Sequence, residues 1–326
     1  MRVSWLIPVR DGQPWLNGAV ESACAQCEDG DEVIVVDDGS AVPPDRTLPQ
    51  HPALRVLRQR PLGIVQALEF GRSHCSNELI ARLDADDIAL PGRIAAQRRW
   101  LRIHPNAAAV GGRADMVADG GVLSQGMQRY VEWVNGLEDL HAQLLVESPL
   151  FHPAVTMRAS AVDAVGGYRD VGLPEDYDLW LRLVGADYGI GSVEEIVVRL
   201  RDHPARLTRT HPRYSRDAFV RAKQAWLGAG AFSVRRRVAV WGAGRTGRRW
   251  VRWLAEQGHA VVAVIDPFQG TSRQGVPVVS PNRLAELEVD FALVAVGVPG
   301  ARAQIRTAIN RARPHWREGV DWWAVC

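Results

Sequence analysis

Short apolar strands that end in acidic residues recur along the first part of this 326-residue chain. Val3–Val9 runs into Arg10-Asp11-Gly12, and the β-branched run Glu32 to Val36 leads into Asp37 and Asp38. Stretches with a helical period follow these strands, and this alternation predicts a parallel sheet with crossover helices. Because the carboxyl ends of parallel strands meet at one edge, we expect five carboxylates to converge there. They are Asp11, Asp37, Asp38, Asp84 and Asp86.

The stretch Ile80 to Pro91 carries the strongest chemical signal. An apolar strand runs out at Asp84, Asp86 and Asp87, and the first two share a face if the backbone stays extended. Two neighbouring carboxylates repel each other unless a cation lies between them. Mg²⁺ and Mn²⁺ take such oxygen ligands and fill their remaining positions with water and phosphate oxygens. The alternative is a polar loop with a helix cap.

Length and composition predict a globular protein of two domains. Hydrophobic residues make up 47% of the chain, and the net charge of +2 argues against a dedicated nucleic-acid binder. Lys223 is the only lysine, so arginine, the better bidentate phosphate ligand, carries the basic character. Tryptophan is abundant and serves either at a membrane edge or, more commonly, in the core. Four of the twelve are Trp250, Trp253, Trp322 and Trp323.

The cysteines indicate a reducing compartment. Cys24 and Cys27 form one CxxC pair on a predicted helix, Leu16 to Cys27, and no second pair completes a zinc site. Cys75 and Cys326 are isolated in the sequence. With no signal peptide after Met1 and no long apolar run, we expect a cytoplasmic protein.

Eight segments in a fixed order resemble the family-2 glycosyltransferases of the GT-A fold. The resemblance covers roughly residues 1 to 215 and predicts an α/β nucleotide-diphospho-sugar transferase domain. The segments are Ile7-Pro-Val-Arg-Asp-Gly, Val35-Val-Asp-Asp-Gly-Ser, Gly63-Ile-Val-Gln-Ala-Leu, Ala81-Arg-Leu-Asp-Ala-Asp-Asp, His152-Pro, Val165-Gly-Gly-Tyr-Arg, Glu175-Asp-Tyr-Asp-Leu-Trp-Leu-Arg-Leu and Leu200-Arg-Asp-His-Pro.

The resemblance implies where a nucleotide-sugar donor binds. Asp37 or Asp38 would contact the base, and Asp84 would face the ribose and the metal. Asp86 would ligate the metal ion, Mn or Mg, that is bound to the diphosphate. Asp176 would be the catalytic base. The remaining residues implied for the donor pocket are Pro8, Arg10, Asp11 and Gly63.

The sequence departs from the family pattern in three places. Glu69 stands where the family often has asparagine, and Arg10-Asp11 replaces a commoner Tyr-Asn. The Gln-x-x-Arg-Trp motif is absent after the acidic stretch. This absence argues against a processive polysaccharide synthase and favours transfer of a single sugar.

Pro174-Glu175-Asp176 predicts a helix start, which sets Asp176 near the positive end of the helix dipole and favours its ionised form. Its alternative role is a capping acid. His152 either lines the acceptor site or packs in the core. His203 is the third predicted metal ligand, with a phosphate contact as the other functional choice. Arg201, Arg206 and Arg209 share its loop and either close over the diphosphate or form a solvated face.

The strand and helix pattern starts afresh after Gly228-Ala-Gly230, a predicted linker. Arg237 to Trp241 reads as a strand, Gly242-Ala-Gly-Arg-Thr-Gly247 opens a helix, and Asp266 ends the next strand. This is the context of a dinucleotide fingerprint. The tail resembles the nucleotide-sugar-binding N-terminal domain of bacterial sugar O- and N-acyltransferases. This resemblance implies a phosphate-binding cleft at Gly242, Gly244 and Gly247, with Arg245 also binding the nucleotide and Asp266 on a ribose or base. The alternative is a docking domain with an empty cleft.

These observations predict a GT-A domain over residues 1–230 and a small C-terminal Rossmann-like α/β domain over residues 235–326. The leading hypothesis is an inverting, metal-dependent glycosyltransferase of hexosyltransferase type in polysaccharide biosynthesis. It would move one sugar from a nucleotide-diphosphate donor to a cell-surface glycan or lipid-linked acceptor, with possible contact at the inner face of the membrane. The alternatives are an NAD-dependent oxidoreductase and a non-catalytic nucleotide-sugar sensor. No Tyr or Lys follows Gly242 to serve hydride transfer.

Overall fold

A computed structural model describes residues 1–44, 47–268, 271–298 and 300–326. The chain forms two compact units. The first contains Met1–Glu138 and Pro149–Ala222, and the second contains Lys223–Cys326 together with the short segment Asp139–Ser148. The domain boundaries drawn from sequence, 1–230 and 235–326, stay a prediction. Nothing in the sequence of 139–148 indicated that it belongs with the C-terminal residues.

The first unit is built on one sheet of eight strands among the described residues, in the order β3-β2-β1-β4-β7-β6-β8-β5. These strands are Val3–Val9 (β1), Glu32–Asp37 (β2), Leu54–Arg58 (β3), Leu79–Arg82 (β4), Ile88–Ala89 (β5), Ala107–Ala118 (β6), Thr156–Arg158 (β7) and Gly189–Asp202 (β8).

The helices in chain order are Leu16–Cys24 (α1), Ile64–Arg72 (α2), Arg93–Ile103 (α3), Gln125–Asn135 (α4), Leu140–Gln143 (α5), Ala159–Ala164 (α6), Glu175–Gly185 (α7), Leu207–Thr210 (α8), Arg216–Ala229 (α9), Arg245–Glu256 (α10) and Ala301–Ala312 (α11). Helix α9 continues through Gly228, where a linker was expected. Short 3₁₀ turns occur at His152–Ala154, Pro212–Tyr214 and Pro281–Glu286.

Parallel pairing of β3, β2, β1 and β4 confirms the predicted crossover sheet in this region. Strand alternation divides its side chains between two faces. Val3, Trp5 and Ile7 belong to a core that α1 and α3 share. On the other face α2 comes so close that a Cβ on Gly71 would lie 2.3 Å from Leu6 Cδ1. Because these four strands are parallel, their carboxyl ends lie at the same edge of the sheet.

The other half of the sheet is mixed, which the sequence analysis did not foresee. Strand β7 runs antiparallel to β4 and to β6, while β6 and β8 are parallel. Buried Arg93 of α3 fixes this junction, because its guanidinium donates to the carbonyls of Arg82, Pro153 and Val155. Burial, followed by the charge of Arg82, lowers the pKa of Arg93 to about 9. This junction holds the His152 turn beside β4.

A buried ion pair joins α3 to the loop before β2. Arg98 Nη2 lies 2.6 Å from both carboxylate oxygens of Asp31, which also accept the Val3 and Glu28 amides. Removing the cation leaves a buried charge without its partner, so Arg98→Met is expected to destabilise the fold by about 3–5 kcal/mol. Urea denaturation measures this loss.

The adjacent Arg99 supplies the matched control for that variant. It pairs with Glu195 at the surface, where both side chains are exposed. Arg99→Met should therefore change the free energy of unfolding by about 1 kcal/mol or less. Equal destabilisation by the two variants would contradict the proposed contribution of the buried ion pair to the free energy of unfolding.

The second unit contains a separate sheet in the order β11-β12-β10-β9-β13-β14. Five of its strands are parallel and follow the order 3-2-1-4-5, as in the doubly wound α/β fold. Its strands are Arg237–Trp241 (β9), Ala260–Ile265 (β10), Ser272–Arg273 (β11), Val276–Val279 (β12), Phe291–Val294 (β13) and Trp322–Ala324 (β14).

Tryptophans and the single lysine belong to the core of this second unit. Trp250, Trp322 and Trp323 are almost fully buried, so they serve packing rather than a membrane edge. Lys223 is also buried and donates to the carbonyls of Val146 and Val325. The first of these bonds joins the segment 139–148 to the rest of this unit. No helix in the described parts of the chain is both long and apolar enough to cross a bilayer.

Candidate functional site

The loops after β1 and β2 are tied together at the carboxyl edge of the sheet. The Asp11 amide donates to Ser40 Oγ, and Asp11 Oδ1 accepts the Ala41 amide, both at 2.8 Å. Asp11 has a φ of 52°, a conformation that asparagine and aspartate tolerate better than other residues. The replacement of the family's asparagine by aspartate therefore keeps this turn. Pro8 is buried within β1, whereas Arg10 is exposed.

Asp38 holds the loop before α2. Its carboxylate accepts hydrogen bonds from Gln59 Nε2, the Leu62 amide and the Gly63 amide, at 2.7 to 2.9 Å. Gly63 has a φ of 92°, and a Cβ there would meet no atom within 4 Å. Asp38 thus shapes an open turn at the start of α2.

Asp37 is fully buried and more sparsely bonded than Asp38. Its Oδ1 accepts the Ser40 amide at 2.8 Å, and its Oδ2 has an ion pair with Arg58 at 3.4 Å but no hydrogen bond. Both carboxylates stand at the edge where the sequence predicted the nucleotide base. Which of them contacts a base stays a prediction.

Asp84, Asp86 and Asp87 form a cluster at the end of β4. Each offers an oxygen, and the three atoms lie within 4.8 Å of one another. Burial, then the charge of Asp84, raises the pKa of both Asp86 and Asp87. Asp87 Oδ1 accepts the Arg201 amide, but its buried Oδ2 has no hydrogen-bond partner. An all-oxygen set with an unsatisfied buried carboxylate oxygen suits a hard divalent cation.

Asp87 was missed as a candidate ligand because its sequence position fits a helix cap equally well. The structure shows it 1% exposed and facing its two neighbours. The cue available in the sequence was the unbroken acidic pair at the strand end. Burial, which decides the matter, is a tertiary property.

The loop after β8 reaches this cluster. His203 Nε2 lies 2.7 Å from Asp86 Oδ2, and the His203 ring is 4.6 Å from that of Trp15. Arg201 Nε donates to the Asp86 carbonyl, and its guanidinium lies over Trp15. His203 therefore contacts a candidate metal ligand; its role as a ligand itself stays a prediction.

The arginines of that loop differ in how far their positive charge is already paired with a carboxylate. Arg209 Nη2 lies 2.7 and 2.6 Å from the two oxygens of Asp202, so its charge is already compensated. Arg206 lies 4.0 Å from the same carboxylate, and its positive charge lowers the pKa of Asp86 and Asp87. Of the two, Arg206 is better placed toward the acidic cluster.

Helix α7 begins at Glu175, with Pro174 as its N-cap residue. Asp176 Oδ1 accepts the Tyr177 amide at 2.7 Å. Burial, and then the charge of Glu175, raises the pKa of Asp176 to about 7. The net shift is the reverse of the ionised form expected from the helix dipole, because burial and the neighbouring Glu175 carboxylate outweigh the hydrogen bonds at the helix start that lower this pKa. A pKa near neutrality suits a general base.

The other acids of α7 have structural partners. Glu175 accepts the Tyr214 hydroxyl at 2.8 and 2.9 Å and lies 3.6 Å from Arg213. Asp178 is buried between Arg169 and Arg182, at 2.5 and 2.8 Å. Asp176 lacks an ion pair in the described part of the chain. Of the three acids it is the one without a cation at ion-pair distance.

Arg82 connects the acidic cluster to α7. Its side chain is 2% exposed, and its Nη2 lies 2.5 Å from Asp84 Oδ1. Its charge also acts on Glu175 and Asp176, lowering the pKa of each. One buried cation thus lies within electrostatic reach of both groups. Sequence analysis passed over Arg82, although an arginine inside an apolar strand was the available cue.

A buried pair lies against this arginine. His152 Nε2 is 2.8 Å from the Tyr168 hydroxyl, and burial together with the charge of Arg82 lowers the pKa of His152 well below its usual value. The histidine is therefore neutral. Glu69, the residue that departs from the family pattern, accepts the Tyr168 amide at 2.6 Å and so positions this pair. His152 packs in the core and is buried.

The glycine loop of the second unit has the shape that its motif predicts. Gly242 has a φ of 112°, and a Cβ on Gly247 would lie 1.7 Å from the Gly242 carbonyl oxygen. A Cβ on Gly244 would meet nothing within 4 Å, which leaves open space above the loop. Asp266 Oδ2 accepts the Ala243 amide at 2.7 Å. Arg245, the first residue of α10, is exposed.

Comparison with known proteins follows from this geometry. The model of the family described as Glycosyl transferase family 2 matches residues 4–166, half of the chain. Asp176, His203 and residues 223–326 of the second unit lie outside that match. The chain is 27% identical over 191 residues to the amylovoran biosynthesis glycosyltransferase AmsE of Erwinia amylovora, covering 57% of this chain and 70% of AmsE.

Two further proteins are similar to more than half of this chain. The UDP-Gal:alpha-D-GlcNAc-diphosphoundecaprenol beta-1,3-galactosyltransferase of Escherichia coli is 24% identical over 201 residues, 60% of this chain and 71% of that enzyme. The crystal structure of S. aureus TarS 1-349 in complex with UDP-GlcNAc aligns with a TM-score of 0.51 at 14% identity. That alignment covers 69% of this chain and 65% of the TarS chain, so this chain spans slightly less than two thirds of it.

The TarS alignment supports the GT-A assignment of the fold, and the family match covers the strands that carry the acidic motifs. On this evidence the chain belongs to glycosyl transferase family 2 and is a glycosyltransferase.

Proposed function

We propose that this protein is an inverting, metal-dependent glycosyltransferase that moves one sugar from a nucleotide-diphosphate donor to an acceptor hydroxyl. The observation that carries the proposal is Arg82, a buried cation within electrostatic reach of both the acidic cluster and Asp176. A donor-side group and a base-side group at one crevice are what an inverting transfer requires. Relatives that act on UDP-sugars and lipid-linked acceptors support the substrate class.

Asp84, Asp86 and Asp87 would hold the cation, Mg²⁺ or Mn²⁺, with His203 as a further ligand or as a partner of Asp86. Three carboxylates and a buried unsatisfied oxygen fit that ion. When bound, the cation neutralises charge on the diphosphate of the donor. Arg82 holds Asp84 in place, and Asp38 shapes the turn at Gly63 beside the proposed nucleotide pocket of Pro8, Arg10, Asp11 and Asp37.

Asp176 would act as the base. As the acceptor oxygen bonds to the anomeric carbon, its proton passes to the Asp176 carboxylate. The bond from the anomeric carbon to the diphosphate oxygen breaks, and the diphosphate leaves with the electron pair. Attack from the face opposite the leaving group inverts the anomeric configuration. Without the Gln-x-x-Arg-Trp motif, we propose one transfer per acceptor rather than processive synthesis.

The function is tested by incubating the purified protein with a panel of UDP-, GDP- and TDP-sugars, Mn²⁺ or Mg²⁺, and glycan or polyprenyl-diphosphate acceptors. NMR of the product is expected to show one added sugar with the anomeric configuration opposite to that of the donor. A retained configuration would refute inversion, and equal turnover in excess EDTA would refute metal dependence.

The pH dependence of turnover follows from the pKa of Asp176. Its raised value, about 7, means that the carboxyl is mostly protonated below neutrality and cannot accept the acceptor proton. We expect kcat to fall about tenfold per pH unit below about pH 6.5. Rates measured from about pH 5 to pH 8.5 at saturating donor test this. Constant kcat down to pH 5 would place the base's pKa near that of an ordinary aspartate.

For the second unit we propose a nucleotide or nucleotide-sugar cleft at Gly242, Gly244, Arg245, Gly247 and Asp266. The open space above Gly244 and the uncapped start of α10 support phosphate binding there. Calorimetry with NAD, NADP and a panel of nucleotide sugars is expected to show two sites for a nucleotide sugar. Gly244→Val should remove one site and leave the other.

A single site that Gly244→Val leaves intact would favour the alternative of a docking unit with an empty cleft. Tight NAD binding without nucleotide-sugar binding would revive an oxidoreductase role for the second unit. We also propose that the protein contacts the inner face of a membrane.

A further inference from the structure

Charge is distributed unevenly between the two units. By sequence, the second unit has fifteen lysines and arginines against nine acidic residues, a net charge of +6. The first unit has twenty-four against twenty-eight, a net charge of −4. The near-neutral net charge of the whole chain is therefore the sum of a basic second unit and an acidic first unit. Asymmetry of this kind indicates an anionic partner surface.

Part of that charge lies on the outer face of α10. Arg245, Arg248 and Arg252 are exposed, and their spacing of three and four residues sets them on one face of the helix. The opposite face, with Trp250 and Leu254, is buried. In the described parts of the chain no ion pair joins these three arginines to a carboxylate.

The most exposed large apolar side chain stands next to this helix. Phe268 is 96% exposed. Its amide donates to Asp266 Oδ1, and Asp266 Oδ2 accepts the amide of Ala243, two residues before α10 begins. One carboxylate thus bridges the backbone at Phe268 and the backbone at the start of α10. The Phe268 backbone therefore lies near the loop that leads into α10.

We propose that Arg245, Arg248, Arg252 and Phe268, the α10 patch, dock this protein on an anionic lipid bilayer. Guanidinium groups pair with lipid phosphates, and an exposed phenyl ring enters the interface between headgroups and acyl chains. This inference is independent of the proposed reaction. It gives the exposed Phe268 ring and the arginine row of α10 one common role.

A soluble nucleotide fits the patch less well. From Arg245 to Arg252 the row extends about 10 Å along the helix, and the outside of a helix is convex, whereas small ligands bind in concave sites. A nucleic acid would need a basic surface with aromatic side chains along it, and here one ring stands at one end. A flat anionic surface matches both the row and its single apolar tip.

Co-sedimentation of the full chain with vesicles tests the proposal. Binding to phosphatidylcholine vesicles containing phosphatidylglycerol is expected to exceed binding to pure phosphatidylcholine at least about tenfold, and to weaken as salt is raised. The double variant Arg248→Glu/Arg252→Glu should lose about a hundredfold in partitioning. Phe268→Ser should partition onto these vesicles severalfold less than the parent protein. Its relative loss should be larger at high salt, where the apolar contact contributes most of the remaining affinity.

A matched control changes the same charge elsewhere in the unit. Arg283 and Arg317 are exposed and paired, so Arg283→Glu/Arg317→Glu has the same net charge as the first double variant. It should retain most of the binding, and transfer to a soluble acceptor reports folding in every variant. Equal losses of vesicle binding in the two double variants would contradict the assignment of binding to the α10 patch. Equally tight binding to an RNA oligonucleotide would overturn the choice of a bilayer.

Discussion

Asp176→Asn is expected to lower kcat about 10²- to 10⁴-fold while leaving the Kd of the nucleotide-sugar donor unchanged. The amide cannot accept the acceptor proton, and removing a positioned general base has an effect of that size. The donor does not rely on this carboxylate, so its binding should persist. Steady-state kinetics and calorimetry on the same preparation separate the two quantities.

The fold should tolerate this variant. A carboxyl whose pKa is raised in the folded state binds its proton more tightly there than in the unfolded chain. Its contribution to stability therefore falls as pH rises from about 4 to about 7, and above pH 7 the charge opposes folding. Asp176→Asn removes that opposition, so at pH 8 its midpoint of unfolding should equal or exceed that of the parent.

Asp115→Asn is the matched control, because Asp115 is an exposed carboxylate paired with Arg199 at the surface. It should keep full activity. Turnover of Asp176→Asn within a few-fold of the parent would remove Asp176 from its proposed role, whatever the outcome for the metal site.

Asp86→Ala is expected to reduce kcat/KM by about 10³-fold or more and to abolish metal-stimulated hydrolysis of the donor. Charge stabilisation by a bound cation amounts to several kcal/mol, and each 1.36 kcal/mol is about tenfold in rate. The variant should also lose Mn²⁺ binding, which electron paramagnetic resonance of free Mn²⁺ reports without any activity. Donor Kd measured in EDTA should be the same as for the parent.

Asp115→Ala again supplies the control for a lost surface carboxylate. If Asp86→Ala still bound Mn²⁺ with the parent's affinity, the cluster at the end of β4 would not be the metal site. Residual activity that no longer responds to metal is the expected behaviour of a protein that keeps its base but has lost its cation.

Local patterns were sufficient to predict the elements that carry the proposed donor site. The strand Val3–Val9, the acidic end of β2 and the Asp84 motif depend on alternation and turn chemistry within a few residues, and all appear where expected. Convergence of their ends followed from the rule for parallel strands. In the second unit, Gly242 and Gly247 likewise have the close contacts that the motif requires, and the space at Gly244 is open.

Properties set by long-range packing could not be predicted. Arg82 is adjacent in sequence to ordinary strand residues, and only the fold buries it between Asp84 and α7. The pKa of Asp176 was misjudged because the helix dipole is visible in a sequence whereas desolvation is not. The antiparallel pairing of β7 also depends on long-range packing. Arg93 of helix α3 stabilises it by donating hydrogen bonds to the carbonyls of Arg82, Pro153 and Val155.

The central claim is that the acidic cluster and Asp176 surround one activated sugar. A crystal structure of Asp176→Asn with Mn²⁺ and a bound donor tests it most directly. We expect anomalous scattering from Mn²⁺ beside Asp86, and the anomeric carbon within about 6 Å of the side chain at 176, room for one acceptor hydroxyl. Mn²⁺ bound away from Asp84, Asp86 and Asp87, or an anomeric carbon shielded from residue 176 by the diphosphate, would contradict the account.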